Sequence, residues 1–292
     1  MRITHPDRVM YPATGLTKLD VAQYYEAISA RMLPHVIGRP LTLVHCPTGL
    51  AGQCRYLRHG KAWGPSALRR VRIRERTKIG EYLVVESVQG LIALAQMDVL
   101  EIHTWNSDIA HVERPNRLVF DLDPGPAVAW RHIVEAARLL RKALAALGLA
   151  SWVKTTGGAG LHVVVPLIPE RDWTECLAFA RAVAQKIERH DPARYTTMFR
   201  KEGRERKILI DYLRNNRTNT SIAAFSTRAR ADASISLPVR WTELRAHARP
   251  IGAGLIAALQ RLVRRQGDPW HDYWTARQRL STNAIRSLVD DT

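Results

Sequence analysis

Asp121 and Asp123 close the apolar run Arg117–Asp123, immediately before Pro124 and Gly125. In an extended segment residues i and i+2 share a face, so both carboxylates point one way while Phe120 and Leu122 point the other. Like charges so placed destabilise each other unless a cation sits between them. Oxygen donors suit the hard ions Mg²⁺ and Mn²⁺. Strand-end acids also occur solvated or paired with arginine, so the pair alone leaves both readings open. Asp211 adds to it. It follows Ile208, Leu209 and Ile210, and an acid in such a run needs a partner. That partner is either a nearby arginine (Arg206 or Arg214) or the same metal site. Three carboxylates can hold two divalent ions, which activate an attacking hydroxyl and stabilise a leaving pyrophosphate, as in phosphoryl and nucleotidyl transfer.

A second constellation suits phosphate. Lys154–His162 carries Thr156, Gly157, Gly158 and Gly160 between two apolar runs. Glycines there let backbone N–H groups approach an anion. Thr156 and His162 can donate to phosphate oxygens. No helix follows, so this is not a dinucleotide fingerprint, and the plain alternative is a glycine hairpin with His162 in the core. Arg214, Arg228 and Arg230 offer fork-shaped donors. The charged stretch Arg200–Lys207 is either a nucleic-acid contact or a solvated turn. Tyr56 lies among Arg55, Arg58 and His59, a mixture suited to base stacking with phosphate contact, or else a tyrosine tucked into the core.

These residues need elements to hold them. Arg117–Asp123 reads as a strand stopped by Pro124 and Gly125. A helix over 128–147 follows, with Ile133, Val134, Ala137, Leu140, Leu144 and Leu147 on one stripe and Gly148 closing it. Strands are expected at 152–156, 161–166 and 207–213, and a helix over 172–189. Upstream, Thr17 caps a helix running to Arg31, 41–46 and 82–86 read as strands, 88–97 as a helix and 100–105 as an extended piece. Residues 254–265 read as helical. Strands and helices mix without strict alternation, so the expected class is α/β (α+β): a mixed, largely antiparallel central sheet flanked by helices. The chain reads as one domain, with a looser part at 1–110, the motifs at 111–245 and a helical segment at 246–292.

Composition narrows the partners. The chain has 292 residues, with 44 Lys+Arg against 27 Asp+Glu and a net charge of +17. That balance suits a polyanion, and nucleic acid fits it best. No run is long and clean enough to span a bilayer, and the N-terminus has no apolar signal-peptide core. Membrane partners are therefore not expected. Cys46, Cys54 and Cys176 form no disulfide framework, which fits a reducing cytosol. His45, Cys46, Cys54 and His59 match no common zinc spacing.

The order of motifs resembles a known family. A strand Asp-x-Asp, then Thr-Gly-Gly-x-Gly-x-His on a hairpin, then a third Asp on an apolar strand is the order of archaeo-eukaryotic primases. The similarity is greater to the polymerase domain of bacterial ligase D, which acts in non-homologous end joining. His5–Pro12, Gly15–Lys18, Leu118–Gly125, Asp211–Asn215 and Phe225–Arg230 also fit. The resemblance covers roughly residues 3 to 245 and implies a primase-like catalytic core. It implies that Asp121, Asp123 and Asp211 bind two divalent ions, Mn²⁺ preferred over Mg²⁺. It implies that Thr156, Gly157, Gly158, His162, Arg214 and Arg228 hold the incoming NTP or dNTP. It assigns Arg8 and Lys18 to a 5′-phosphate on DNA, and Tyr56 to template stacking. The family extends primers, fills gaps and adds ribonucleotides at double-strand breaks. It works in the bacterial cytoplasm, at the nucleoid, with the Ku protein and with ligase and phosphoesterase modules. This chain departs from the family pattern in having Thr156 for serine and Arg55 where a second aromatic is common. A DNA-end module without catalysis, recognising only the 5′-phosphate, is the alternative.

Overall fold

The computed structural model describes residues 2–60, 65–247, 254, 255, 259, 260 and 267–283. In chain order its elements are β1 (Val9–Tyr11), β2 (Leu16–Thr17), α1 (Lys18–Ala27), α2 (Ser29–Val36), β3 (Leu41–His45), β4 (Pro47–Leu50), β5 (Arg55–Leu57), β6 (Arg69–Arg74), β7 (Ile79–Val84), α3 (Val88–Gln96) and β8 (Val99–Thr104). There follow β9 (Arg117–Pro124), α4 (Trp130–Ala146), β10 (Trp152–Thr155), β11 (Leu161–Pro166), α5 (Trp173–His190), β12 (Tyr195–Thr196), β13 (Ile208–Asp211), β14 (Ser221–Ile222) and β15 (Pro238–Val239). The chain forms two compact units. Of the described residues, one takes the chain up to Ala110, Thr220–Leu237 and Gly254, Leu255, Leu259 and Gln260; the other takes His111–Asn219, 238–247 and 267–283.

The second unit is built on a six-stranded sheet of order β12-β13-β9-β11-β10-β15, antiparallel except for the β12–β13 pair. Alternation along the strands sorts its two faces. Leu118, Phe120, Leu122, Val163 and Val165 pack against Ile133, Val134, Leu140 and Leu144 of α4 and Phe179, Val183 and Ile187 of α5. Asp172 caps α5 with a reciprocal Glu175 box, and Gly148 ends the α4 region at φ 76°, where only glycine is unstrained. The opposite face carries Val119 and Val164 under Trp270 and Tyr273, and next to them the polar residues described below.

The first unit holds a four-stranded sheet of order β14-β8-β3-β5, the β6–β7 ribbon and the β1–β2 pair. Its core gathers Tyr24, Tyr25, Leu41, Leu43, Leu94, Leu100 and Ile102. Thr17 caps α1 with Asp20 as its box partner, as expected. The helix expected to reach Arg31 instead ends at Ile28, and α2 restarts at Ser29. Cys46 and Cys54 are joined in a disulfide, which corrects the expectation of none. Eight residues apart in sequence, they come together because β3 and β5 pair, with β4 in the connection between them. The helix expected at 254–265 lies mostly outside the described residues. Among the described residues no helix is long and apolar enough to cross a membrane.

Candidate active site

The centre of the second unit's sheet aligns four ionisable side chains in one row. Asp211 on β13 pairs with Asp121 on β9, Asp121 with His162 on β11, and His162 with Lys154 on β10. Directly opposed residues have Cβ atoms about 4.5–5.5 Å apart, so neighbours in the row touch. Asp123 lies two residues along β9 on the same face. His162 Nε2 lies 3.3 Å from Asp121 Oδ1. Arg214 Nε lies 3.2 Å from Asp121 Oδ2 and 3.0 Å from Asp211 Oδ2. Arg204 donates to Asp123 Oδ2 at 3.0 Å.

Arg214 is held over the row by its neighbour. After β13 the chain turns through Leu213–Asn215, and Asn215, fully buried, accepts from the Val119 N–H at 2.8 Å and donates to the Val119 carbonyl at 2.8 Å. Its amide thereby continues the β13–β9 ladder by one step with a side chain. The Leu213 N–H caps Asp211 Oδ1 at 2.8 Å.

The charges are unequal by environment. Burial opposes ionisation of Asp121, but His162, the Arg214 guanidinium and the Lys154 ammonium outweigh it and hold its carboxyl well below the usual range. Burial, opposed by Arg214 and reinforced by Asp121 and Asp123, pushes Asp211 up to about 6. Burial and the Asp121 charge raise Asp123, against the pull of Arg204. Burial and the Lys154 charge lower His162 to about 4, so at neutral pH it is a neutral hydrogen-bonding imidazole. Its Nδ1 is buried and has no hydrogen-bond partner among the described residues.

The glycine turn closes on itself. The Thr156 hydroxyl donates to the Gly160 carbonyl at 3.2 Å and accepts from the Gly158 N–H at 3.2 Å. Gly157 sits at φ 71°. A Cβ on Gly160 would lie 2.3 Å from the Leu122 carbonyl oxygen, so the turn rests directly on β9 beside the acids.

The donor set fits a hard divalent ion: oxygen ligands from three carboxylates on one face, at least one firmly ionised. Among the described residues no three His, Cys, Asp or Glu side chains already converge as a ligand set. The arginines occupy the carboxylate oxygens in their place, Arg214 on Asp121 and Asp211, Arg204 on Asp123.

Comparison with known proteins bears on this arrangement. Residues 17–270 match the family model described as LigD, primase-polymerase domain. The chain belongs to the LigD primase-polymerase family. It is 36% identical over 291 residues to the multifunctional non-homologous end joining protein LigD of Pseudomonas aeruginosa, covering 99% of this chain and 34% of that protein. It is 35% identical over 246 residues to the LigD of Mycolicibacterium smegmatis, covering 84% of this chain and 32% of that protein. The chain thus spans about a third of the length of these relatives. The solved polymerase domain of Mycobacterium tuberculosis ligase D, in complex with DNA, superposes with a TM-score of 0.87 at 30% identity, covering 95% of this chain and 99% of that one. The mixed α/β architecture with antiparallel sheets is therefore that of the LigD polymerase domain.

Of the residues read from sequence, Asp121, Asp123, Asp211, Thr156, Gly157, Gly158, His162 and Arg214 all lie in the second unit, around one row. Arg8, Lys18, Tyr56 and Arg228 belong to the first unit. There Arg8 Nη1 and Lys18 Nζ grip the two oxygens of Asp98 at 2.9 and 3.0 Å. Tyr56 is 75% exposed, which removes the core alternative. Phe225 is held at φ 66° with its carbonyl accepting from Tyr24, and the chain beyond it brings Arg228 to Glu101 at 2.9 Å.

Sequence reading missed several partners. Asp98 occupies the left-handed region at φ 57°, a strained placement that aims its carboxylate at two cations. Glu101 takes hydrogen bonds from His103, Arg228 and the Ala229 N–H. Burial would raise its carboxyl, but His103 and Arg228 hold it down at about 2. The Glu101–His103 spacing on an expected extended segment puts both on one face, which was the available signal. Arg204 had none beyond lying in a charged turn.

Proposed function

We propose that this domain is a metal-dependent nucleotidyltransferase of the primase type. It extends DNA 3′ ends, fills gaps and adds (ribo)nucleotides at double-strand breaks in end joining. The observation that carries the reading is the cross-strand pairing of Asp211 with Asp121, with Asp123 on the same face. In the reaction a 3′-hydroxyl oxygen attacks the α-phosphorus of a triphosphate, and pyrophosphate leaves. Asp121, Asp123 and Asp211 would hold Mn²⁺ or Mg²⁺, which lowers the charge on the triphosphate and favours the alkoxide form of the hydroxyl. His162 is assigned to the triphosphate by family resemblance: with Nε2 turned to Asp121, a proton taken up on Nδ1 as the anion approaches would make it a donor to a phosphate oxygen. Arg214, lying between two carboxylates, offers its guanidinium to the same anion. The Gly157 and Gly158 backbone beside it permits close approach.

In the first unit, Arg8 and Lys18 would receive a 5′-phosphate, with Asp98 fixing their ammonium and guanidinium groups. Exposed Tyr56 suits stacking on an unpaired template base. Arg228 is assigned to the triphosphate by family resemblance. The relatives' names place them in non-homologous end joining, so Ku and ligase and phosphoesterase modules are the partners proposed, with action at the nucleoid.

The test is primer extension on a gapped duplex with a recessed 5′-phosphate, supplying Mn²⁺ or Mg²⁺ and NTP or dNTP. Asp121→Ala is expected to lose extension by about a thousandfold or more while retaining DNA binding. Extension by that variant at the wild-type rate would overturn the assignment. No extension by the wild type, with binding that requires the 5′-phosphate, would favour a DNA-end module instead.

A further inference from the structure

The proposed function leaves Cys46 and Cys54 unused, and their placement is specific. β3 and β5 pair as Leu43 with Leu57, Val44 with Tyr56 and His45 with Arg55. The next step of that register sets Cys46 opposite Cys54. Their Cα atoms are 4.3 Å apart, the separation of a non-hydrogen-bonded antiparallel pair, and the sulfurs are bonded. β5 is only three residues long and is the edge of its sheet. Such a strand has a single neighbour and frays readily. It is also the strand that presents Tyr56.

The other half of the disulfide belongs to the phosphate cluster. The Cys46 N–H donates to the Asp98 carbonyl at 2.9 Å, and the Asp98 carboxylate holds Arg8 and Lys18. The Pro47 carbonyl accepts from Arg8 at 2.7 Å. Gly49 lies so close to β1 that a Cβ there would meet the Val9 carbonyl oxygen at 2.5 Å. One covalent bond therefore ties the Tyr56 strand to the backbone that supports Arg8 and Asp98.

We propose that Cys46–Cys54 is a thiol-modification site that takes dithiol reductants, and that its oxidation state sets how tightly the domain binds a 5′-phosphorylated DNA end. The proposal rests on the reading of Arg8, Lys18 and Tyr56 as DNA contacts. Cys54 is the more exposed of the two, Cys46 being fully buried. A reductant thiolate attacks the Cys54 sulfur, the S–S bond breaks, and Cys46 leaves as a thiolate and takes a proton. The second thiol of the same reductant then attacks the mixed disulfide and frees Cys54. Two electrons and two protons pass to the protein, and the reductant departs as a cyclic disulfide. With the bond open, β5 keeps its three backbone pairs with β3 and the packing of Leu57, but Tyr56 loses its covalent tie to the backbone that supports Arg8.

The experiment uses the full chain purified without reductant, before and after dithiothreitol. Alkylation in denaturant with intact mass should count one free thiol before, from Cys176, and three after. Anisotropy on gapped duplexes ending in a 5′-phosphate or a 5′-hydroxyl should show affinity for the phosphorylated end falling about three- to tenfold on reduction. The double variant Cys46→Ser with Cys54→Ser should match the reduced protein and ignore dithiothreitol, while Cys176→Ser should respond as wild type. Three free thiols in air-equilibrated protein would overturn the proposal, and so would phosphate discrimination unchanged by reduction. Equal affinity for both ends in both redox states would overturn the DNA-end reading and the redox coupling with it.

Discussion

Asp211 is a buried carboxylate kept ionised at a cost, and replacing it by asparagine tests that directly. In the folded protein burial pushes its carboxyl up to about 6, against 3.8 for an unperturbed aspartate. The folded state therefore binds this proton more tightly than the unfolded chain. Its contribution to stability falls as pH rises from about 4 through about 6, then stays level. The gap corresponds to about 3 kcal/mol at about 1.4 kcal/mol per pH unit. Asparagine keeps the volume and the oxygen that accepts from the Leu213 N–H, and Arg214 keeps Asp121 as its partner. Asp211→Asn should therefore be more stable than wild type at pH 8 without metal, by about 1–3 kcal/mol, and equal to it near pH 4. Urea unfolding followed by tryptophan fluorescence at the two pH values reads the difference. Saturating Mn²⁺ should reverse the order. A ligand at a hundred times its Kd adds about 2.7 kcal/mol, and only the wild type retains the third carboxylate to receive it. A variant less stable than wild type at pH 8 without metal would refute the reasoning, because Asp211 would then be a structural partner of Arg214.

Substitutions at three further positions extend the test, two beside the row and one in the first unit. Asn215→Ala removes the amide that pairs with both backbone groups of Val119, and should cost about 2–4 kcal/mol in the same unfolding assay. Asn215→Asp sets a buried carboxylate oxygen against the Val119 and Tyr212 carbonyls, and should cost at least as much. Gly160→Ala forces a methyl against the Leu122 carbonyl; a destabilisation of about 2 kcal/mol or more and loss of nucleotide affinity are expected, and a neutral result would show that the turn does not rest on β9. Tyr56→Ala should weaken binding to a duplex with an unpaired template by about fivefold to a hundredfold, at about 1–3 kcal/mol per stacked base, with Tyr56→Phe near wild type in the same anisotropy titration.

What could be read from the sequence follows the range of the interactions. The strand carrying Asp121 and Asp123, the helix after it, the glycine turn and the strand of Asp211 are local patterns: alternation, a helical stripe, a proline stop. The structure has each within a few residues of the expected bounds. The alternatives left open for Asp211 were an arginine and a shared metal site; Arg214 lies at 3.0 Å, and Asp121 stands opposite it. What depends on register between distant strands was not legible. Nothing local tells that Cys46 stands opposite Cys54, that Arg204 reaches back 81 positions to Asp123, or that Glu101 waits for Arg228. Asp98 was hidden differently: its role depends on a backbone conformation that its residue type permits and does not announce.

The row of Asp211, Asp121, His162 and Lys154 also has a meaning in time. Its members come from four strands whose order in the sheet, β13-β9-β11-β10, is not their order of synthesis. β9, β10 and β11 can pair as soon as they are made, but the place on the other side of β9 stays open until β13 arrives, some ninety residues after Asp121. A chain still growing on the ribosome carries two of its three acids and cannot complete the third. On the proposed reading, the acidic site is completed in one step, with the docking of a single late strand.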